Sequence, residues 1–158
     1  MNQPEILIVG AGGMGALFGS ILHENGLKVV LYDTNTEHIR AIQQAGLKIE
    51  GYGGDRTIPI AATSNLSELE SAEIIIFQCK SHGTRQAAKA VKPLITQESV
   101  CISFQNGLGN EEVMAEELVN DFVMGGLTAM AGVLLEPGKI RDFSRVPSHI
   151  GEMRGGIS

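Results

Sequence analysis

The sequence predicts an α/β fold with a doubly wound, mainly parallel sheet and a C-terminal β extension, formed as one domain over residues 1–158. Three observations predict it. The run Ile6-Leu7-Ile8-Val9 is apolar, largely β-branched and stopped by glycine, as a strand buried on both faces is. A helical pattern, a second short strand and a second helix follow it within about 40 residues, the spacing of a parallel, right-handed crossover unit. After Asp121 helical periodicity gives way to short apolar runs joined by turns.

In order, Met14, Leu17, Phe18, Ile21 and Leu22 recur at helical spacing from Gly13 to about Glu24, and Asn25-Gly26 supplies a left-handed stop. Lys28 to Tyr32 reads as the second strand. Asp33-Thr34-Asn35-Thr36 is rich in N-cap residues and opens a helix with Ile39 and Ile42 on one face, ending at Gly46. Leu47 to Ile60 reads as two short strands around the loop Gly51 to Arg56, with a short helix at Leu66 to Glu70. A strand over Glu73 to Cys79 and a helix from Gly83 to Val91, closed by Pro93, come next. Val100 to Phe104 is a strand and Glu111 to Leu118 a helix. The β extension is expected at Phe122–Gly125, Leu127–Leu135, Lys139–Phe143 and His149–Ile150, with a hairpin turn at Glu136-Pro137-Gly138-Lys139.

Composition narrows the function classes. With 43% hydrophobic and 19% charged residues in 158, the chain can bury a core. A formal net charge of −6 argues against general nucleic-acid binding, which needs a clustered basic face. The start carries no basic signal-peptide region, and the longest apolar stretch is too short to span a bilayer, so a cytoplasmic protein without membrane association is expected. Cys79 and Cys101 lie in apolar segments without ligand spacing, which implies free thiols and no metal site. Oligomeric state is not legible, and a homodimer is compatible with the chain.

The turn Gly10-Ala11-Gly12-Gly13-Met14-Gly15 matches G-x-G-x-x-G and stands between a predicted strand and a predicted helix, the context this phosphate-binding motif requires. That makes the fold Rossmann-like. Gly10 makes the tight turn, Gly12 admits a pyrophosphate to the backbone, and Gly15 lets helix and strand pack closely, with Gly19 extending that packing. The helix N-terminus offers free N–H groups and positive potential to the phosphates. Asp33 ends the second strand, 23 residues after Gly10. An acidic residue there either hydrogen-bonds the adenosine ribose of NAD or caps the following helix, and it disfavours a 2′-phosphate; Arg40 stands one to two turns further on.

Ligands of open α/β sheets lie beyond the carboxyl ends of the strands. Two segments qualify there, Phe77-Gln78-Cys79-Lys80-Ser81 and Phe104-Gln105-Asn106-Gly107. Lys80 is either a point charge for a carboxylate or phosphate or a solvated loop lysine, and Asn106-Gly107 either a ligand-facing amide or a tight turn. His82 follows Lys80 and could line the cleft. His23, His38 and His149 read as structural, and Glu111, Glu112, Glu116 and Glu117 as the wet face of a helix.

Taken together, the glycine turn, Cys79-Lys80-Ser81, Gln105-Asn106-Gly107, Gly125-Gly126-Leu127-Thr128, Glu136-Pro137-Gly138-Lys139-Ile140 and His149-Ile150-Gly151-Glu152 resemble the amino-terminal domain of the ketopantoate reductase (2-dehydropantoate 2-reductase) family. The resemblance covers nearly the whole chain. It implies an oxidoreductase of pantothenate biosynthesis that passes hydride from a nicotinamide to a small 2-oxo acid, ketopantoate, giving pantoate. It also implies that Asn106 contacts the nicotinamide side and that Lys80 places cofactor or substrate, so these two are the catalytic candidates. The candidate cofactor-binding residues are Gly10, Ala11, Gly12, Gly13, Met14, Gly15, Asp33, Lys80 and Asn106. The resemblance favours NADP, whereas Asp33 favours NAD. It further implies a helical substrate domain that supplies the general acid and that is expected to be absent from this chain. Two other readings are a stand-alone NAD(H)-binding module without turnover and a related opine or sugar-phosphate dehydrogenase.

Overall fold

A computed structural model describes residues 3–118 and 123–153. In chain order the elements are β1 (Ile6–Val9), α1 (Gly13–Glu24), β2 (Val29–Tyr32), α2 (Thr36–Ala45), β3 (Leu47–Gly51), β4 (Arg56–Ile58) and β5 (Ala61–Thr63). They continue with β6 (Ile74–Phe77), α3 (Thr84–Val91), β7 (Val100–Ser103), α4 (Asn110–Leu118), β8 (Val123–Leu127), β9 (Ala131–Glu136), β10 (Lys139–Ser144) and β11 (His149–Glu152).

Strand β1 lies inside a seven-stranded sheet of order β11-β8-β7-β6-β1-β2-β5. Its four residues are all buried, because the two faces of the strand feed two different cores. Ile6 and Ile8 pack with Leu17, Ile39 and Ile42 from α1 and α2, while Leu7 and Val9 pack with Ala88, Val91, Met114 and Leu118 from α3 and α4. Side chains alternate across a strand, so an uninterrupted apolar run is what two covered faces demand. Burial of each such side chain contributes about 1.5–3 kcal/mol. All pairings in this sheet are parallel except β11 on β8. The doubly wound, mainly parallel sheet read from the sequence is the one observed.

The β extension is shared between two sheets. β8 and β11 extend the main sheet, whereas β9 and β10 join β3 and β4 in a second sheet of order β4-β3-β10-β9. The stretch Leu127–Leu135, expected as one strand, is therefore two. The chain leaves β8 at Leu127, and the Thr128 hydroxyl accepts the Met130 N–H at 3.1 Å and the Ser148 hydroxyl at 2.8 Å before β9 begins. An apolar run carries no signal for a change of sheet. β5 was not expected at all; Ala61-Ala62-Thr63 is a strand only through its pairing with β2. The expected helix at Leu66–Glu70 is a single 3₁₀ turn, Leu66–Glu68. Phe122 lies outside the described residues.

The second sheet is held to α1 by charge as well as packing. Arg56 and Arg145 both approach Glu24 at the end of α1, and Arg145 also donates to the buried Asp142 at 2.8 Å. Glu50 accepts from Lys139 and Arg141, which hold its carboxyl below the usual carboxylate range. Glu116 and Glu117, expected to be simply solvated, both pair with Arg85 and so tie α4 to α3. Among the described residues no helix is long and apolar enough to cross a membrane.

Candidate cofactor site

The strand order reverses at β1, whose successor β2 lies on one side and β6 on the other. A crevice therefore opens at the carboxyl end of β1, and the glycine turn occupies it. Gly10 has φ of +99°, and a Cβ there would lie 2.5 Å from the Cys79 nitrogen, so the turn passes flat against the chain leaving β6. At Gly15 a Cβ would overlap the Gly10 carbonyl oxygen and press on Ile8. Those two positions accept only glycine. Gly12 is different, because a Cβ there meets nothing within 4 Å. The space beside it is open.

Helix α1 starts at this turn without help from side chains. Its N-cap is Gly12, no side chain caps it, and its first turn holds no acidic residue. By contrast α2 is capped by Asn35, which accepts the His38 N–H at 3.1 Å. An uncapped helix start leaves N–H groups and positive potential for an anion. These features fit the pyrophosphate of a dinucleotide. Gln78, next in line after β6, adds a buried Nε2 with no partner among the described residues, an unspent donor beside the turn.

The other candidates gather at the same end of the sheet. Asp33 follows β2 half-buried, and its Oδ1 accepts the Asn35 N–H at 2.9 Å. It does not cap α2, since Asn35 does, so the helix-capping alternative is not the one observed. Its charge, after desolvation by burial, helps push the Tyr32 hydroxyl up, and it acts in the same direction on the Cys79 thiol, where burial is again the larger cause. Lys80 is exposed and makes no ion pair among the described residues. Asn106 is exposed as well, its side chain making no hydrogen bond among the described residues, while its carbonyl accepts the Ser81 hydroxyl at 2.7 Å. His82 lies exposed in the 3₁₀ turn Ser81–Gly83. Met14 is partly buried and packs against the core that holds Ile8 and Leu17.

What holds the two strand-end loops is a buried polar relay that the sequence did not single out. The Gln105 amide donates to the Cys79 carbonyl at 2.7 Å and to the Thr84 hydroxyl at 2.8 Å. The Thr84 hydroxyl in turn donates to Asn110 Oδ1 at 3.0 Å, and the Asn110 amide donates to the carbonyls of Asn106 and Gly107. Thr84 and Asn110 begin α3 and α4, so the relay fixes both helix starts to the loops after β6 and β7. Phe104, just before Gln105, stacks at 4.7 Å on Phe18 of α1 and fills the space left where Gly126 lacks a side chain. Polar residues opening two successive helices were the available signal; their partner Gln105 was visible only as part of a motif.

Comparison with known proteins agrees with this arrangement. A family model described as ketopantoate reductase PanE/ApbA matches residues 6–155. The chain belongs to the ketopantoate reductase family. Among curated ketopantoate reductases, the 2-dehydropantoate 2-reductase of Pyrococcus abyssi is 34% identical over 137 residues, covering 87% of this chain and 44% of its own. That of Lactococcus lactis is 31% identical over 141 residues, covering 88% and 45%. The chain thus spans about half the length of the curated relatives it matches. A ketopantoate reductase structure from Ralstonia eutropha superposes with a TM-score of 0.85 at 30% identity, over 92% of this chain and 48% of that one. A structure of D-mandelate dehydrogenase with NADH and anilino(oxo)acetate superposes with a TM-score of 0.81 at 25% identity, over 92% and 46%.

Proposed function

We propose that this chain is the cofactor-binding domain of a nicotinamide-dependent reductase acting on a 2-oxo acid, ketopantoate in the first instance. The observation that carries the proposal is the glycine turn at the β1 switch point, open beside Gly12 and backed by an uncapped helix start. The Gly10 N–H is spent on the Tyr32 carbonyl at 2.9 Å, so backbone N–H groups from Gly12 to Gly15 hold the pyrophosphate, and Asp33 accepts from the adenosine ribose. Lys80, exposed beyond β6, holds a carboxylate or phosphate as a point charge, and the Asn106 amide contacts the nicotinamide side. When bound, the nicotinamide supplies the hydride, while the residues of this domain bind and orient it.

Asp33 favours a second reading of the cofactor and substrate. A 2′-phosphate would meet its carboxylate, so NADH is the preferred cofactor, and a mandelate-type 2-hydroxy acid is then a competing product to pantoate. D-mandelate dehydrogenase, solved with NADH, is similar to this chain in fold and sequence.

The deciding experiment titrates the chain with NADH and NADPH by nicotinamide fluorescence and then adds ketopantoate or a bulkier 2-oxo acid. Saturable binding, tighter for NADH, is expected, with a further change on adding the matching 2-oxo acid. Tighter binding of NADPH removes Asp33 as the specificity determinant. A folded sample that binds neither cofactor overturns the proposal.

A further inference from the structure

His38 is 1% exposed in the first turn of α2 and belongs to neither strand-end loop. Its Nε2 lies 2.8 Å from the Ala11 carbonyl oxygen, inside the glycine turn. Its Nδ1 lies 2.9 Å from the backbone nitrogen of Gly138, in the turn between β9 and β10. A backbone N–H can only donate, so Nδ1 is the acceptor and carries no proton. The ring proton therefore sits on Nε2 and is donated to Ala11. One imidazole thus joins the glycine turn, the helix that follows Asp33, and a hairpin from the far end of the chain.

We infer that His38 is a positioning residue for the pyrophosphate cradle. This rests on the function proposed above. In a trans peptide the carbonyl and the following N–H point to opposite sides of the chain, and the described peptide bonds are all trans. The Ala11 carbonyl is drawn inward onto His38. The Gly12 N–H shares that peptide plane and is consequently turned the other way, away from α2. Gly12 is also the position around which space is open. The second hydrogen bond, from Gly138, prevents the ring from rotating away, so the direction of the Gly12 N–H is set before any ligand arrives. A histidine that merely filled space would be replaceable by any side chain of its volume. This role demands a donor at the ε position, held by an acceptor at the δ position.

Two variants of the full chain separate these possibilities. His38→Gln places an amide N–H near the position of Nε2 and keeps the donor to Ala11. His38→Asn is one carbon shorter, retaining an acceptor for Gly138 but no reach to Ala11. Titration with NADH and NADPH is expected to show the preferred cofactor bound about tenfold more weakly by the Asn variant and within about threefold of wild type by the Gln variant. Equal weakening in both, or none in either, overturns the inference. Should the Asn variant fail to fold, long-range proton–nitrogen spectra of the wild-type ring decide instead. An Nε2-protonated ring whose Nε2 signal moves on adding cofactor supports the assignment, and an Nδ1-protonated ring or an unmoved signal overturns it. Wild-type protein that is folded yet binds neither cofactor overturns the proposed function and this inference together. Cofactor bound equally by wild type and the Asn variant overturns the inference alone.

Discussion

The Ser81 hydroxyl donates to the Asn106 carbonyl at 2.7 Å, joining the loop after β6 to the loop after β7. Both ends of this bond lie at the surface, so its contribution to global stability is small, whereas its effect on where Lys80 and the Asn106 amide stand is direct. Ser81→Ala is expected to lower the thermal midpoint by no more than about 2–4 °C. Cofactor affinity is expected to fall roughly three- to tenfold, measured by titration with NADH and NADPH. Ser81→Thr restores it. An unchanged affinity in the alanine variant would show that the two loops hold their places independently.

Gln105→Leu removes a buried donor from the relay, strands the Cys79 carbonyl and leaves the Thr84 hydroxyl only its bond to Asn110. An unsatisfied buried group costs about 1–3 kcal/mol, so chemical denaturation should show a loss of that size. Gln105→Glu keeps the shape but replaces the donor with an acceptor, and is expected to be at least as damaging. A stable leucine variant would mean that the relay is dispensable.

Gly12 and Gly15 separate binding from folding. Gly12 has φ of −62° and open space around it, so Gly12→Val leaves the fold standing at a cost of roughly 1 kcal/mol for a poorer N-cap. Its branched side chain then fills the approach to the backbone, and binding of both cofactors should be lost. Gly15→Val drives side-chain atoms into the Gly10 carbonyl and Ile8, and should abolish cooperative unfolding itself. Circular dichroism melts alongside cofactor titration distinguish the two outcomes.

Cys101 is fully buried on β7, and burial pushes its thiol up to about 12 from a usual value of 9.0. Above pH 9 the unfolded chain loses this proton while the folded chain keeps it. Stability is therefore unaffected below pH 9 and falls as pH rises from 9 toward 12, by about 1.4 kcal/mol per pH unit from this group alone. Cys101→Val removes the titration at similar volume. Denaturant unfolding from pH 8 to 11 should show a steeper decline for wild type than for the valine variant, and parallel curves would refute the assignment.

Features that arise within a few residues of one another were legible from the chain alone. The strand Ile6–Val9, the turn Gly10–Gly15, the helix Gly13–Glu24 and its stop at Asn25-Gly26 all follow from side-chain period and backbone sterics, which act locally. The placement of Lys80 and Asn106 just past the carboxyl ends of two strands was legible too, because each follows an apolar run of strand length. Their holding groups were not. Gln105, Thr84 and Asn110 read as loop and helix-start residues until α3 and α4 are packed side by side.

Long-range choices needed the folded chain. The apolar run after Leu127 divides between two sheets because pairing partners, not local propensity, decide where a strand ends. Gly13 was read from the sequence as a cofactor-binding residue of the turn, with no packing role. It is required because β9 crosses it, with Val133 Cα 2.5 Å and the Gly132 carbonyl 2.6 Å from where a Cβ would stand. The same crossing brings Gly138 to His38, 100 residues earlier. Local sequence specified the glycine turn in outline. What covers that turn, and what aims its peptide planes, depended on chain closure over distances at which residue pattern carries no information.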